Sequence, residues 1–183
     1  MIVIDVYSPR FFYHEIIWMN KNVNKLNHDG HLELIFDNKW KYISSIRNFI
    51  QNIINELLVN KEKAEMISLA ANELIENAVK YHVFNDDCPD VRLKLIHKTS
   101  EKILLLEVKN CSSDKNIDIL KKEIEAISKS SPDKSYLKKI FEVSKRTDGK
   151  SMLGLSRVRF ESGCDLSIHT DNGIVTIQAI FYL

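Results

Sequence analysis

The hydrophobic period of this chain changes along its length, and that change restricts the fold more than any other feature. From Trp40 the apolar residues stand at 40, 43, 46, 49, 50, 53, 54, 57 and 58, a helical stripe of about five turns. Asn60 is a suitable cap for a second helix running from 61 to about 82, with Met66, Ile67, Ala70, Leu74, Ala78 and Tyr81 at helical spacing. The period then drops to two. Residues 91–95 and 103–108 alternate and read as strands, joined by a turn at Lys98-Thr99-Ser100-Glu101. Upstream, His31-Leu32-Glu33-Leu34-Ile35-Phe36 alternates and meets Asp37-Asn38, a strand followed by a helix cap.

Downstream, residues 118–128 and 135–143 read as helices on either side of Ser130-Ser131-Pro132-Asp133. A polar stretch at 144–152 precedes a short helix at 155–161. Residues 164–170 and 174–182 form a closing hairpin through Asp171-Asn172-Gly173, since Asn-Gly between alternating runs favours the tight turn that matches strand twist. Residues 1–7 alternate loosely like a strand, 11–19 are apolar and aromatic, and 20–30 read as a loop. The chain therefore divides into an N-terminal extension, 1–30, and a domain, 31–183. The extension is open to reading as a hairpin, a short helix or a partner-binding arm. Helices segregated from mostly antiparallel strands give an α+β two-layer sandwich, not the regular alternation of a Rossmann fold.

Composition narrows the function. The 183 residues are 44% hydrophobic, enough for one domain with a core of its own. Lys+Arg is 26 against 25 for Asp+Glu, so no basic excess points to nucleic acid. Apolar runs such as 103–106 are too short to span a bilayer. The start lacks the pattern of a signal peptide, and Cys88, Cys111 and Cys164 are odd in number and far apart. Both features lead us to expect a cytoplasmic protein without a disulfide framework or a cysteine zinc site. The six histidines lack metal spacing, and neither a Walker loop nor a Gly-x-Ser-x-Gly elbow occurs. His14-Glu15 faintly resembles a phospho-acceptor box but lacks the following proline. Phe11, Phe12, Tyr13 and Trp18 read equally as core or as a sticky patch.

The chemistry concentrates on the second helix, in Asn72-Glu73-Leu74-Ile75-Glu76-Asn77-Ala78-Val79-Lys80-Tyr81-His82. Glu73, Asn77 and Lys80 fall at i, i+4 and i+7 and share one ridge. A carboxylate can take a proton from an attacking hydroxyl. An amide oxygen suits Mg²⁺, and an ammonium can offset phosphate charge. A solvated polar face with a Glu/Lys pairing accounts for the same spacing.

This segment resembles the N-box of the GHKL (Bergerat-fold) ATPases, which include histidine kinase catalytic domains, gyrase and MutL. The chain is most similar to the anti-sigma-factor serine kinases of the SpoIIAB/RsbW type and to SiaB-type kinases, over roughly residues 31–183. The resemblance implies ATP and Mg²⁺ as cofactors, Glu73 as the catalytic base, Asn77 as the metal ligand, and Lys80 and Tyr81 flanking the phosphate and ribose. It implies that Asn110, in Lys109-Asn110-Cys111-Ser112, stands where the family's adenine-binding Asp is expected, with that motif's glycines missing. In Lys150-Ser151-Met152-Leu153-Gly154-Leu155, one glycine of the phosphate loop survives. Lys150, Gly154 and Leu155 are then the remaining contacts, with Lys145 and Arg146 nearby or simply part of a basic loop. The implied function is phosphorylation of a Ser or Thr on a STAS-like partner protein by a partner-switching kinase. The alternative is a degenerate domain that binds a regulator without chemistry. An orphan histidine kinase domain is a third reading, and a homodimer is left open by the habits of related small kinases.

Overall fold

The computed structural model describes residues 2–5 (by their backbone), 29–84, 88, 90–145 and 153–183. These form strands β1 (Ile2–Asp5), β2 (Gly30–Phe36), β3 (Val91–Lys98), β4 (Ile103–Cys111), β5 (Asp165–Asp171) and β6 (Ile174–Tyr182). The helices are α1 (Trp40–Leu57), α2 (Lys61–Lys80), α3 (Asp114–Ser128), α4 (Pro132–Ser144) and α5 (Gly154–Ser162). One six-stranded sheet has the order β1-β2-β3-β4-β6-β5, antiparallel except for the β1–β2 pair.

Alternation in the strands decides which face is covered. Leu34 pairs with Leu93, Leu93 with Val108 and Val108 with Ile177, and all four are buried beneath the helices. One residue along, the side chains point the other way and the row is polar: Glu33, Lys94, Glu107 and Gln178. There Gln178 Nε2 donates to Glu107 Oε2 at 2.9 Å. The result is the expected α+β two-layer sandwich, with a mostly antiparallel mixed sheet and helices on one face. Ile46, Ile50 and Ile54 of α1 and Ile67, Leu74 and Ile75 of α2 fill the space above the sheet, each at most 1% exposed.

Several boundaries differ from the sequence reading, some for local reasons and some through partners distant in the chain. Asp37-Asn38 does not cap α1. The N-cap is Lys39, whose side chain accepts nothing and pairs instead with the Asp37 carboxylate. Asn60 does cap α2, its Oδ1 accepting from Lys63 N–H at 3.0 Å. Helix α2 stops at Lys80 rather than near 82, and Ser112 Oγ donates to the Tyr81 carbonyl at 3.0 Å. Strand β4 continues past 108 because Asn110 and Cys111 find partners in Val175 and Ile174 of the closing hairpin. Strand β3 runs on to Lys98, so the turn tightens to Thr99–Lys102, with Lys102 at φ 53. Helix α3 begins four residues early, at Asp114, with Ser113 Oγ accepting from Asn116 N–H. Helix α4 begins at Pro132, whose missing N–H costs nothing at the first helical position. The Asn172-Gly173 turn takes the expected form, both residues having positive φ. Of the expected strand at 1–7, Ile2–Asp5 is present and pairs with β2. The apolar segment 11–19 and residues 20–28 of the expected loop lie outside the described residues, and Gly30, the last residue of that expected loop, begins β2 instead.

Candidate functional site

Helix α2 is buried on more than half of its circumference. Ala71, Leu74 and Ile75 are inaccessible, and Ala78 and Val79 nearly so. Glu73 and Asn77 lie on the flank of this buried face and are half-buried, whereas Lys80 at the end of the ridge is exposed. What covers Glu73 and Asn77 is the start of α5. A Cβ built on Gly154 would stand 2.8 Å from Glu73 Oε2 and 3.6 Å from Asn77 Nδ2. No real Cβ tolerates the first distance, so the carboxylate would have to move for any other residue. Glycine at 154 therefore lets the backbone of α5 approach the acid and the amide directly.

The electrostatics of that contact follow from the helix. The first N–H groups of a helix have no internal partner and carry partial positive charge. Helix α5 has no side-chain cap, and its N-cap residue is Leu153. One turn further on, Arg157 Nε donates to Glu161 Oε1 at 2.9 Å. That bond, with the Glu73 carboxylate adding to the same field, holds the guanidinium pKa above its ordinary value. Glu73 thus sits among a helix N-terminus and a fixed cation, an environment that also suits phosphate oxygens.

The far end of the site is built where α2 meets the end of β4. Val83 N–H donates to the Cys111 carbonyl at 2.9 Å, and Ser112 N–H to the Gly173 carbonyl at 2.9 Å. Asn110 is only 5% exposed, and its Nδ2 donates to the Cys111 carbonyl at 3.0 Å. It lies inside the strand, not in a loop after it. Lys80 Nζ rests over the Tyr81 ring, 5.1 Å from its centroid. Leu155 is buried in the core, so only its backbone is available to a ligand. Lys145 Nζ lies 3.8 Å from the centroid of the Phe141 ring. Arg146 and Lys150 fall outside the described residues.

The structure thus brings Glu73, Asn77 and Gly154 together and places Asn110 and Tyr81 at the neighbouring strand end. Arg157 and Ser112 were missed by sequence reasoning. Arg157 carried one weak signal, a cation one turn after the surviving glycine, and Ser112 carried none. Among the described residues no group of three or more His, Cys, Asp or Glu could hold a metal ion. A single amide such as Asn77 still fits Mg²⁺, which keeps several waters and takes other ligands from phosphates. Among the described residues no helix is long and apolar enough to cross a membrane.

No family model and no curated protein matches the sequence. By structure the chain is similar to a chain from the SiaB–SiaC complex of Pseudomonas aeruginosa. The TM-score is 0.64, over 91% of this chain and 97% of that chain, at 11% identity. The likeness is one of fold, an α+β two-layer sandwich. The agreement is in overall fold, with hardly any in residue identity.

Proposed function

We propose that this chain binds Mg-ATP between α2 and the start of α5 and phosphorylates a Ser or Thr hydroxyl on a STAS-like protein partner, as a cytoplasmic partner-switching kinase. The observation that carries the reading is the direct approach of Gly154 to an acid and an amide one helical turn apart. When bound, the magnesium nucleotide supplies the phosphoryl group and part of the charge neutralisation. Glu73 takes the proton of the acceptor hydroxyl, and Asn77 offers its amide oxygen to the metal. The N–H groups at the start of α5, including that of Leu155, donate to phosphate oxygens, and Arg157 and Lys150 add positive charge. Asn110 accepts from the adenine amino group, with Tyr81 and Lys80 along the ribose and phosphate side. Positioning and electrostatics provide most of the rate in such a transfer. That the structurally similar chain comes from a complex of two proteins supports a protein partner here.

A second reading, a binding module without chemistry, is favoured by one observation. Glu73 already lies where the start of α5 leaves little room, and Leu153 rather than a second glycine precedes Gly154. Calorimetry with ATP, with and without Mg²⁺, separates the two. The kinase reading predicts micromolar, magnesium-dependent binding that is lost in Asn77→Ala. It also predicts that Glu73→Gln binds nucleotide yet transfers phosphate roughly 10²–10⁴-fold more slowly. Absence of heat at millimolar nucleotide leaves only the binding module, and normal transfer by Glu73→Gln removes Glu73 as the base.

A further inference from the structure

Helices α3 and α4 enclose an open groove of about 470 Å³, apart from the Glu73 site. Five lysines and three glutamates line it. Two of the glutamates are already committed, Glu123 to Lys139 at 3.5 Å and Glu125 to Lys129 at 2.6 Å. Among the described residues, Lys122, Lys134 and Lys138 have no carboxylate partner. The groove therefore presents unpaired positive charge on a protein whose formal net charge is only +1.

The outward face of α4 continues this charge with apolar surface. At helical spacing, Lys134, Leu137, Lys138, Phe141 and Lys145 fall within about 100° of one another around the axis. Leu137 is 65% exposed and Phe141 61%, which is unusual for large apolar side chains. The hairpin that carries them is held in place from behind. Arg159 of α5 donates to the Ser130 carbonyl at 2.8 Å and to the Ile127 carbonyl. Tyr136 stacks on Phe160 with ring centroids 4.7 Å apart. The exposed stripe is thus a fixed surface that interleaves lysines with a leucine and a phenylalanine.

We propose that this face of α4, with the adjoining groove, is where the protein partner docks, and that the partner presents an acidic amphipathic segment. The inference rests on the preceding reading that the chain meets a protein partner. Charge complementarity names the acidic character, and Leu137 and Phe141 call for apolar residues beside the acids. A flat anionic bilayer satisfies the lysines but cannot enter the concave groove, so the geometry favours a protein segment over a membrane. Removing Leu137 and Phe141 from water supplies the short-range part of the affinity, and the lysines supply orientation and association rate.

The probe is a synthetic dye-labelled helical peptide with Glu and Leu on opposite faces, titrated by fluorescence anisotropy into the full chain. We expect saturable binding that weakens with salt, since exposed charges are screened. The double variant Lys134→Glu/Lys138→Glu should bind at least tenfold more weakly, and Phe141→Ser should lose a comparable amount. Lys115→Glu on α3, outside the groove, should bind as the unmodified chain does. All the substituted side chains are exposed, and circular dichroism checks that each variant folds. Undiminished binding by the double variant overturns the proposal. So does binding to phosphatidylglycerol vesicles without binding to the peptide, which makes the face a membrane contact. Mg-ATP calorimetry on the same samples keeps the two ideas apart. Peptide binding without nucleotide binding removes the kinase and leaves the dock, and the converse removes the dock alone.

Discussion

The α2–α5 contact and the outer face of α4 both gather charged residues, yet they are held by different physics. At the first, Glu73 and Asn77 are half-buried against the backbone of Gly154, with no room for a Cβ there unless the Glu73 side chain moves. At the second, lysines and apolar side chains stand in solvent with space around them. Short-range sterics govern one region and long-range, screenable charge governs the other. Changes in volume should therefore disturb the first, and changes in salt the second.

The largest contrast is expected in stability. Leu74, the residue after Glu73 and about 100° round the helix from it, is inaccessible, so Leu74→Ala should cost about 2–5 kcal/mol in urea unfolding. Phe141→Ala, at a side chain 61% exposed, should change stability by roughly 0.5 kcal/mol or less. Equal costs would mean that α4 is buried in solution by something outside this chain.

A subtler break lies at the contact itself. Gly154→Ala places a methyl group where Glu73 Oε2 now stands, but that oxygen ends a flexible side chain and can swing away. Alanine's advantage in helix propensity, smaller at this first helical position than the about 1 kcal/mol of a helix interior, helps offset the displacement, so the melting temperature should hardly change. Affinity for Mg-ATP should nevertheless fall roughly tenfold or more, a change of about 1.4 kcal/mol. Unchanged affinity would show that the approach of α5 to Glu73 has no part in binding.

The smallest effect concerns Glu123, between α3 and α4. Burial raises its carboxyl pKa, and Lys139 offsets only part of that shift. A raised folded pKa means that the neutral form is favoured in the fold. Its stabilising contribution is complete below the unfolded carboxyl pKa and is lost as pH rises through the folded value. Glu123→Gln cannot ionise and escapes that loss. Its melting temperature relative to the unsubstituted chain should improve as pH rises above the unfolded carboxyl value of about 4. A difference that is constant, or that runs the other way, would give the Lys139 pairing the larger weight.

Much of the fold was legible because periodicity reports burial. The α1 stripe, the Asn60 cap and the Asn172-Gly173 turn follow from local rules that the structure obeys. The ends of β3 and β4 were not legible, because their last residues are extended by pairing with strands distant in sequence. Lys39 as an uncapped helix start went unread for a related reason: Asp37 spends its carboxylate on Lys39 rather than on the helix. At the site, Glu73, Asn77 and Gly154 could be named individually from motif resemblance, but their mutual contact depends on how α5 docks across α2. Arg157 became visible only through that docking. The lysine groove was hidden for the same reason, since two short helices with ordinary surface composition reveal a shared face only when packed side by side.

The central claim is that the Glu73–Asn77 ridge, closed over by Gly154, is where a magnesium nucleotide is held. A crystal structure with a non-hydrolysable ATP analogue and Mg²⁺ tests it most directly. The account predicts the triphosphate between α2 and the first turn of α5, with the metal on the Asn77 amide oxygen and the Glu73 carboxylate toward the γ-phosphate. Analogue bound elsewhere, with Glu73 still against Gly154, would contradict it.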